Sequence, residues 1–98
     1  RKYLLKDGVP GLLREAARRL AAVPDEDFTV EGTERAYRQL IAELGISGGK
    51  LIHPTRMALT GRTVGPGIFD VISLLGKRRV LDRLNRAIDW IEAQREEP

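Results

Sequence analysis

The chain has 98 residues, 42% hydrophobic and 32% charged, with 17 Lys+Arg against 14 Asp+Glu and a formal charge of +3. That length suits one small domain with a single core. The absence of cysteine excludes disulfides and thiolate metal sites and favours a cytoplasmic setting, and no apolar run approaches the roughly 20 residues of a membrane span.

Residues 1–6 carry no clear period and read as the end of a linker or of a preceding helix; beginning with Arg1 and not Met, the chain is expected to be cut from a larger protein. Gly8-Val9-Pro10-Gly11 punctuates. Pro10 fits a first helical turn, where its missing N–H is not needed. Leu12, Leu13, Ala16, Ala17, Leu20 and Ala21 then recur at helical spacing, opposite Arg14, Glu15, Arg18 and Arg19. Pro24 and Asp25-Glu26-Asp27 stop this helix.

Thr29 is placed to cap the next helix, with Glu31 in its first turn at the positive end of the dipole. Ala36, Tyr37, Leu40, Ile41 and Leu44 form its apolar stripe, and Gly45 ends it as a C-cap. Ser47-Gly48-Gly49 reads as a polar turn. Pro54 is placed to open a further helical turn, in which Met57, Ala58 and Leu59 supply packing and Thr60-Gly61 ends it. A short helix is predicted over about 67–75, ended by Gly76, and a last one over about 77–92. In that last helix Val80, Leu81, Leu84, Ala87, Ile88 and Ile91 share a face. Tyr37 and Trp90 fall at core spacing and are expected to pack inside. No segment alternates in the strand pattern, so the fold class is all-α, a small bundle of about five helices joined by short loops.

The charge distribution singles out the middle of the chain. No acid occurs between Glu43 and Asp70, a gap of 26 residues, while Lys50, Arg56, Arg62 and the only histidine, His53, lie within it. A one-sided positive field suits an anionic partner, nucleic acid first. On charge alone, a loop whose few charges happen to be basic fits as well. Arg56, mounted on a helical turn, presents a planar fork suited to a base edge or a phosphate. Gly65-Pro66-Gly67 is a stiff turn with bare backbone that a planar group can approach, and the N-terminus of the following helix offers free N–H groups.

The succession Pro54-x-Arg56-x-Ala58-x-Thr60-Gly61, Gly65-Pro66-Gly67-Ile68-Phe69, Leu74-Leu75-Gly76-Lys77 and Val80-Leu81-x-Arg83-Leu84 resembles the C-terminal anticodon-binding domain of bacterial glutamyl-tRNA synthetases over about residues 28–90. Residues 1–27 fit that pattern only generically, as a helical lead-in to an anticodon-binding bundle over 28–98. The resemblance implies a class I aminoacyl-tRNA synthetase, a ligase whose catalytic Rossmann domain lies N-terminal and uses ATP with Mg. The signatures that handle ATP in the family, of H-I-G-H and K-M-S-K-S type, do not occur in this chain, so it is assigned no catalytic, cofactor-binding or metal-binding residue. The implied partners are glutamate tRNA, gripped at its anticodon loop, and the catalytic domain of the same chain; a cytoplasmic location and no membrane are implied too. By position, the resemblance makes Arg56, Gly65, Pro66 and Ile68 the residues that meet the first two anticodon bases, through the guanidinium, main-chain contacts and stacking. Lys50 and Arg62 are candidate phosphate contacts. Two positions depart from the family pattern: Thr55 stands where an apolar residue is usual and Met57 where a smaller one is common, both expected to alter packing behind Arg56.

Other chemistry finds little in the sequence. One histidine without cysteine makes no zinc site, Ser73 has no triad, and Gly61-x-x-x-Gly65 does not run on into the Gly-Lys-Ser/Thr of a phosphate loop. The arginines of the last helix alternate with Asp82 and Asp89 and read as a solvated, internally paired face. The competing function is a basic protein-interaction bundle that docks an acidic partner.

Overall fold

The computed structural model describes residues 8–62 and 64–95, with five α-helices and no strand among them. They are α1 (Val9–Ala22), α2 (Val30–Leu44), α3 (Gly48–Thr60), α4 (Ile68–Leu75) and α5 (Lys77–Arg95), with a single 3-10 turn at Asp25–Asp27 between α1 and α2. Residues 1–6, read from sequence as the end of a linker or of a preceding helix, lie outside the described residues.

Helix boundaries follow local chemistry. Pro10 stands in the first turn of α1. Thr29 caps α2, its Oγ1 accepting from the Gly32 N–H at 3.0 Å, and Gly45 closes that helix in the left-handed conformation (φ 67°). Gly32 has a second duty. A Cβ built there would lie 1.9 Å from the Asp27 carbonyl oxygen, so only glycine lets the 3-10 turn press onto the start of α2.

The core draws on every helix. Leu12, Leu13, Ala16, Ala17 and Leu20 of α1 meet Tyr37, Leu40 and Leu44 of α2, Leu51 and Leu59 of α3, Ile68 and Ile72 of α4, and Val80, Leu84 and Ile88 of α5. The segment read as a lead-in therefore contributes a central element, packed most extensively on α5. A salt bridge from Arg14 to Glu92 joins the same two helices at the surface.

Four expectations differ from the structure. Gly48 and Gly49 are helical, and Pro54 lies inside α3 where it was expected to open a turn. The helix forgoes only the bond from residue 54 to the Lys50 carbonyl, while the buried stripe Leu51, Thr55 and Leu59 holds both halves in line. Trp90 is 66% exposed. It lies roughly 200° around α5 from Ile88, so the core face passes to Ile88 and leaves the indole outside. Met57, expected to pack, is 49% exposed.

Candidate nucleic-acid interface

Arg56 is mounted on α3 beside the buried Thr55, so its backbone is fixed by the core. Its Nη1 donates to the Pro66 carbonyl oxygen at 2.7 Å. This one bond brings the guanidinium and the Gly65-Pro66-Gly67 turn, ten residues on, into a single surface. A guanidinium carries five N–H donors, and this carbonyl is the only protein acceptor it meets among the described residues. The turn residues are exposed, with no helix laid over them. Gly65 has φ 149°, and a Cβ there would sit an ordinary 3.8 Å from Arg56 Nη1. Conformation, more than space, asks for glycine at that point.

Behind this surface lies a set of tertiary hydrogen bonds that accounts for the sequence motifs. Thr60 Oγ1 donates to the Arg56 carbonyl at 2.9 Å and accepts from the Arg62 N–H at 3.1 Å, tying the end of α3 to the chain that leaves it. Arg83, read as part of a solvated stripe, instead reaches from α5 and donates to the Leu59 carbonyl at 2.7 Å, capping the same helix end. Its neighbour Arg86 does make the expected pair within the helix, with Asp82 at 3.3 Å. Lys77 plays the corresponding part for α1, donating to the Val23 carbonyl and, at 3.4 Å, to that of Ala21. Its sequence signal was the Gly76-Lys77 pair. Nothing local in the sequence says that the partners lie more than fifty residues upstream.

Thr55 explains its own departure from the family pattern. Fully buried, its Oγ1 donates to the Leu51 carbonyl at 2.8 Å and lies 2.8 Å from the Tyr37 hydroxyl. The Tyr37 ring in turn meets Phe69 edge-on, centroids 5.6 Å apart. Phe69 is the second residue of α4, directly after the proline turn. Tyr37 thus braces both halves of the surface from within: α3 through Thr55, and the turn through Phe69. Burial pushes the Tyr37 phenol well above the usual tyrosine range.

The remaining sequence candidates separate. The Ile68 side chain is buried at 4% exposure, so what it offers a ligand is main chain, with no stacking face. Arg62 follows the α3 cap and is exposed. Lys50, also exposed, lies six residues before Arg56, about 9 Å along the axis and roughly 120° around it, and does not share the Arg56 face. Met57 points away from the packing behind Arg56, into a groove against α1 and α5. Asp70 stands over the N-terminus of α4: a Cβ on Gly67 would come within 2.8 Å of its Oδ2. A carboxylate at that end disfavours a phosphate beside the turn, which suits a neutral planar group with its own N–H donors better.

An open, rigidly braced surface of one arginine and a proline turn, on an all-helical core, is the architecture of a recognition module. A family profile described as an anticodon binding domain matches residues 1–88, and the chain belongs to that family. The match includes α1 and the residues before it. The chain is 59% identical over 93 residues to the glutamate–tRNA ligase of Desulforudis audaxviator, covering 95% of this chain and 19% of that protein. It is 48% identical to glutamate–tRNA ligase 2 of Thermoanaerobacter pseudethanolicus, covering 97% and 19%, and 50% identical to the enzyme of Moorella thermoacetica, covering 93% and 18%. The chain thus spans about a fifth of the length of the curated relatives it matches. No helix among the described residues is long and apolar enough to cross a membrane.

Proposed function

We propose that this chain is the anticodon-reading module of a glutamate–tRNA ligase, gripping the anticodon loop of glutamate tRNA. The observation that carries the reading is the Arg56–Pro66 hydrogen bond, which makes one exposed recognition surface from the two motifs the family resemblance picks out. Anticodon bases are unpaired and can be splayed onto such a surface, where their edges meet fixed donors and acceptors. The four remaining N–H donors of Arg56 face a base or its phosphate, while the exposed turn from Gly65 and the main chain at Ile68 present backbone groups to a second base. Lys50 and Arg62 contribute phosphate contacts at the margins.

The module itself performs no chemistry; it orients the tRNA so that the acceptor end reaches a catalytic domain elsewhere in the parent polypeptide. That domain would bind ATP and Mg and join glutamate to the tRNA in the cytoplasm. The residues here do not fit ATP. The loop from Gly61 to Gly65 leads into a proline turn with a carboxylate, Asp70, at the following helix end, where a triphosphate would be repelled.

The test is titration with the anticodon stem-loop of glutamate tRNA and with stem-loops altered at the first two anticodon positions. Arg56→Ala is expected to weaken binding roughly 5- to 150-fold, the equivalent of about 1–3 kcal/mol for a bidentate contact. Arg56→Lys keeps the charge but not the fork and should fall nearer to alanine than to the parent. Equal affinity of Arg56→Ala and the parent for the native loop would remove Arg56 from the interface. Indifference to the anticodon, with tight binding of an acidic protein, would replace the proposal.

A further inference from the structure

The face of the bundle built from α1, α3 and α5 carries an open groove of about 1000 Å³ that the anticodon surface does not use. Leu13, Ala87 and Ile91 line its floor. Val9, Met57 and Trp90 stand along it at 39%, 49% and 66% exposure, so most of the large apolar side chains that the described structure leaves exposed gather on this one face. Such clustering in a small domain marks a contact site, whereas scattered apolar residues do not. The polar lining is His53, Arg83 and Arg86, with no carboxylate among the lining residues.

We propose that this groove seats an amphipathic helix of the parent polypeptide N-terminal to α1, with its apolar stripe against Met57 and Trp90 and its flanking carboxylates beside His53, Arg83 and Arg86. The inference rests on the reading that the chain is one module of a longer ligase. Three observations select this occupant. The relatives are about five times as long as the stretch they share with this chain, so most of such a protein lies outside the structure. Val9, the first residue of α1, itself lines the groove, so the N-terminus of α1 stands at the groove's edge. Tethering there gives a preceding segment a high effective concentration. The lining is mostly aliphatic with a single aromatic ring, and its only charged groups are basic. That composition fits the stripe and acidic flanks of a helix in a groove better than a row of stacked bases.

The experiment compares the full-length protein with its Met57→Glu/Trp90→Glu variant, using Leu74→Glu as control, because Leu74 is 89% exposed and outside the groove. Limited proteolysis of the polypeptide just N-terminal to Gly8 is the readout. The double variant is expected to be cut about tenfold faster, equivalent to about 1.4 kcal/mol of lost docking, with the control cut at the parent rate. The same double substitution in the 98-residue chain should leave helical circular dichroism and affinity for the anticodon stem-loop unchanged, which separates undocking from unfolding. A parent-like cutting rate would overturn the proposal. So would a tenfold loss of stem-loop affinity with no change in cutting, which would make the groove an RNA surface, or a dimer that the substitutions dissociate, which would make it a self-association face. Failure of the unsubstituted chain to bind the stem-loop would sink the ligase reading, while the cutting rates would still decide what fills the groove.

Discussion

Replacing Thr55 by valine isolates the cost of stranding a phenol in the core. The Thr55 hydroxyl spends its one proton on the Leu51 carbonyl at 2.8 Å, so in the 2.8 Å contact with Tyr37 the phenol must be the donor. Valine preserves the shape of the side chain but accepts nothing. Tyr37 is fully buried, and the phenol would be left with an unpaired O–H at a cost of about 1–3 kcal/mol. Tyr37→Phe removes the donor instead; Thr55 keeps its bond to Leu51, and the loss should be about 0.5–1.5 kcal/mol. The double variant strands no donor and should be more stable than Thr55→Val alone, giving a coupling of about 1 kcal/mol or more in a double-mutant cycle. Urea denaturation at constant m-value measures all four proteins. Thr55→Val within about 0.3 kcal/mol of the double variant would refute the reasoning. Alkaline pH gives a second readout. Burial raises the folded-state pKa of the phenol above the ordinary value of 10, so its contribution is fully present below pH 10 and is lost as pH rises through the folded value. The stability difference between the parent and Tyr37→Phe should therefore move against the parent above pH 10, by at most about 1.4 kcal/mol per pH unit.

Other substitutions test other parts of the structure. Gly32→Ala places a Cβ 1.9 Å from the Asp27 carbonyl and should cost about 1–3 kcal/mol despite alanine's better helix propensity. Gly49→Ala, whose Cβ would meet only His53 at 3.5 Å, should be neutral or stabilising in the same urea denaturation. Lys77→Met removes the cap from the end of α1 and should cost about 1–2 kcal/mol, with faster hydrogen exchange in the last turn of that helix. Lys50→Gln and Arg62→Gln should each reduce the slope of log affinity against log salt by roughly 0.7, as expected for one phosphate contact on an unpaired strand; an unaltered slope returns that side chain to solvent.

Much of the fold was legible because its determinants are local. Thr29, Gly45 and Gly76 mark helix ends through their own backbone and hydroxyl chemistry, and the period of 3.6 picks out the core stripes of α1, α2 and α5. What stayed hidden depends on partners distant in the chain. Arg83 and Lys77 look like surface cations until the ends of α3 and α1 are seen beneath them. Trp90 has core-like spacing, yet periodicity cannot tell which of two adjacent faces a neighbour covers, and the groove lies on the other one. Pro54 reads as a helix start because the local rule is strong; three buried side chains on one stripe override it. At the candidate site, residue types and spacing singled out Arg56 and the proline turn. The hydrogen bond joining them, and the aromatic brace behind them, required the folded chain.

The clasp between Arg56 and Pro66 takes its acceptor from the main chain and not from a side chain. Every residue type carries that carbonyl, so position 66 can change its side chain and still hold the guanidinium, provided the backbone keeps its course. The demand of the contact therefore falls on the arginine and on the path of the turn, and a replacement of Pro66 should be felt through conformation before it is felt through lost bonding.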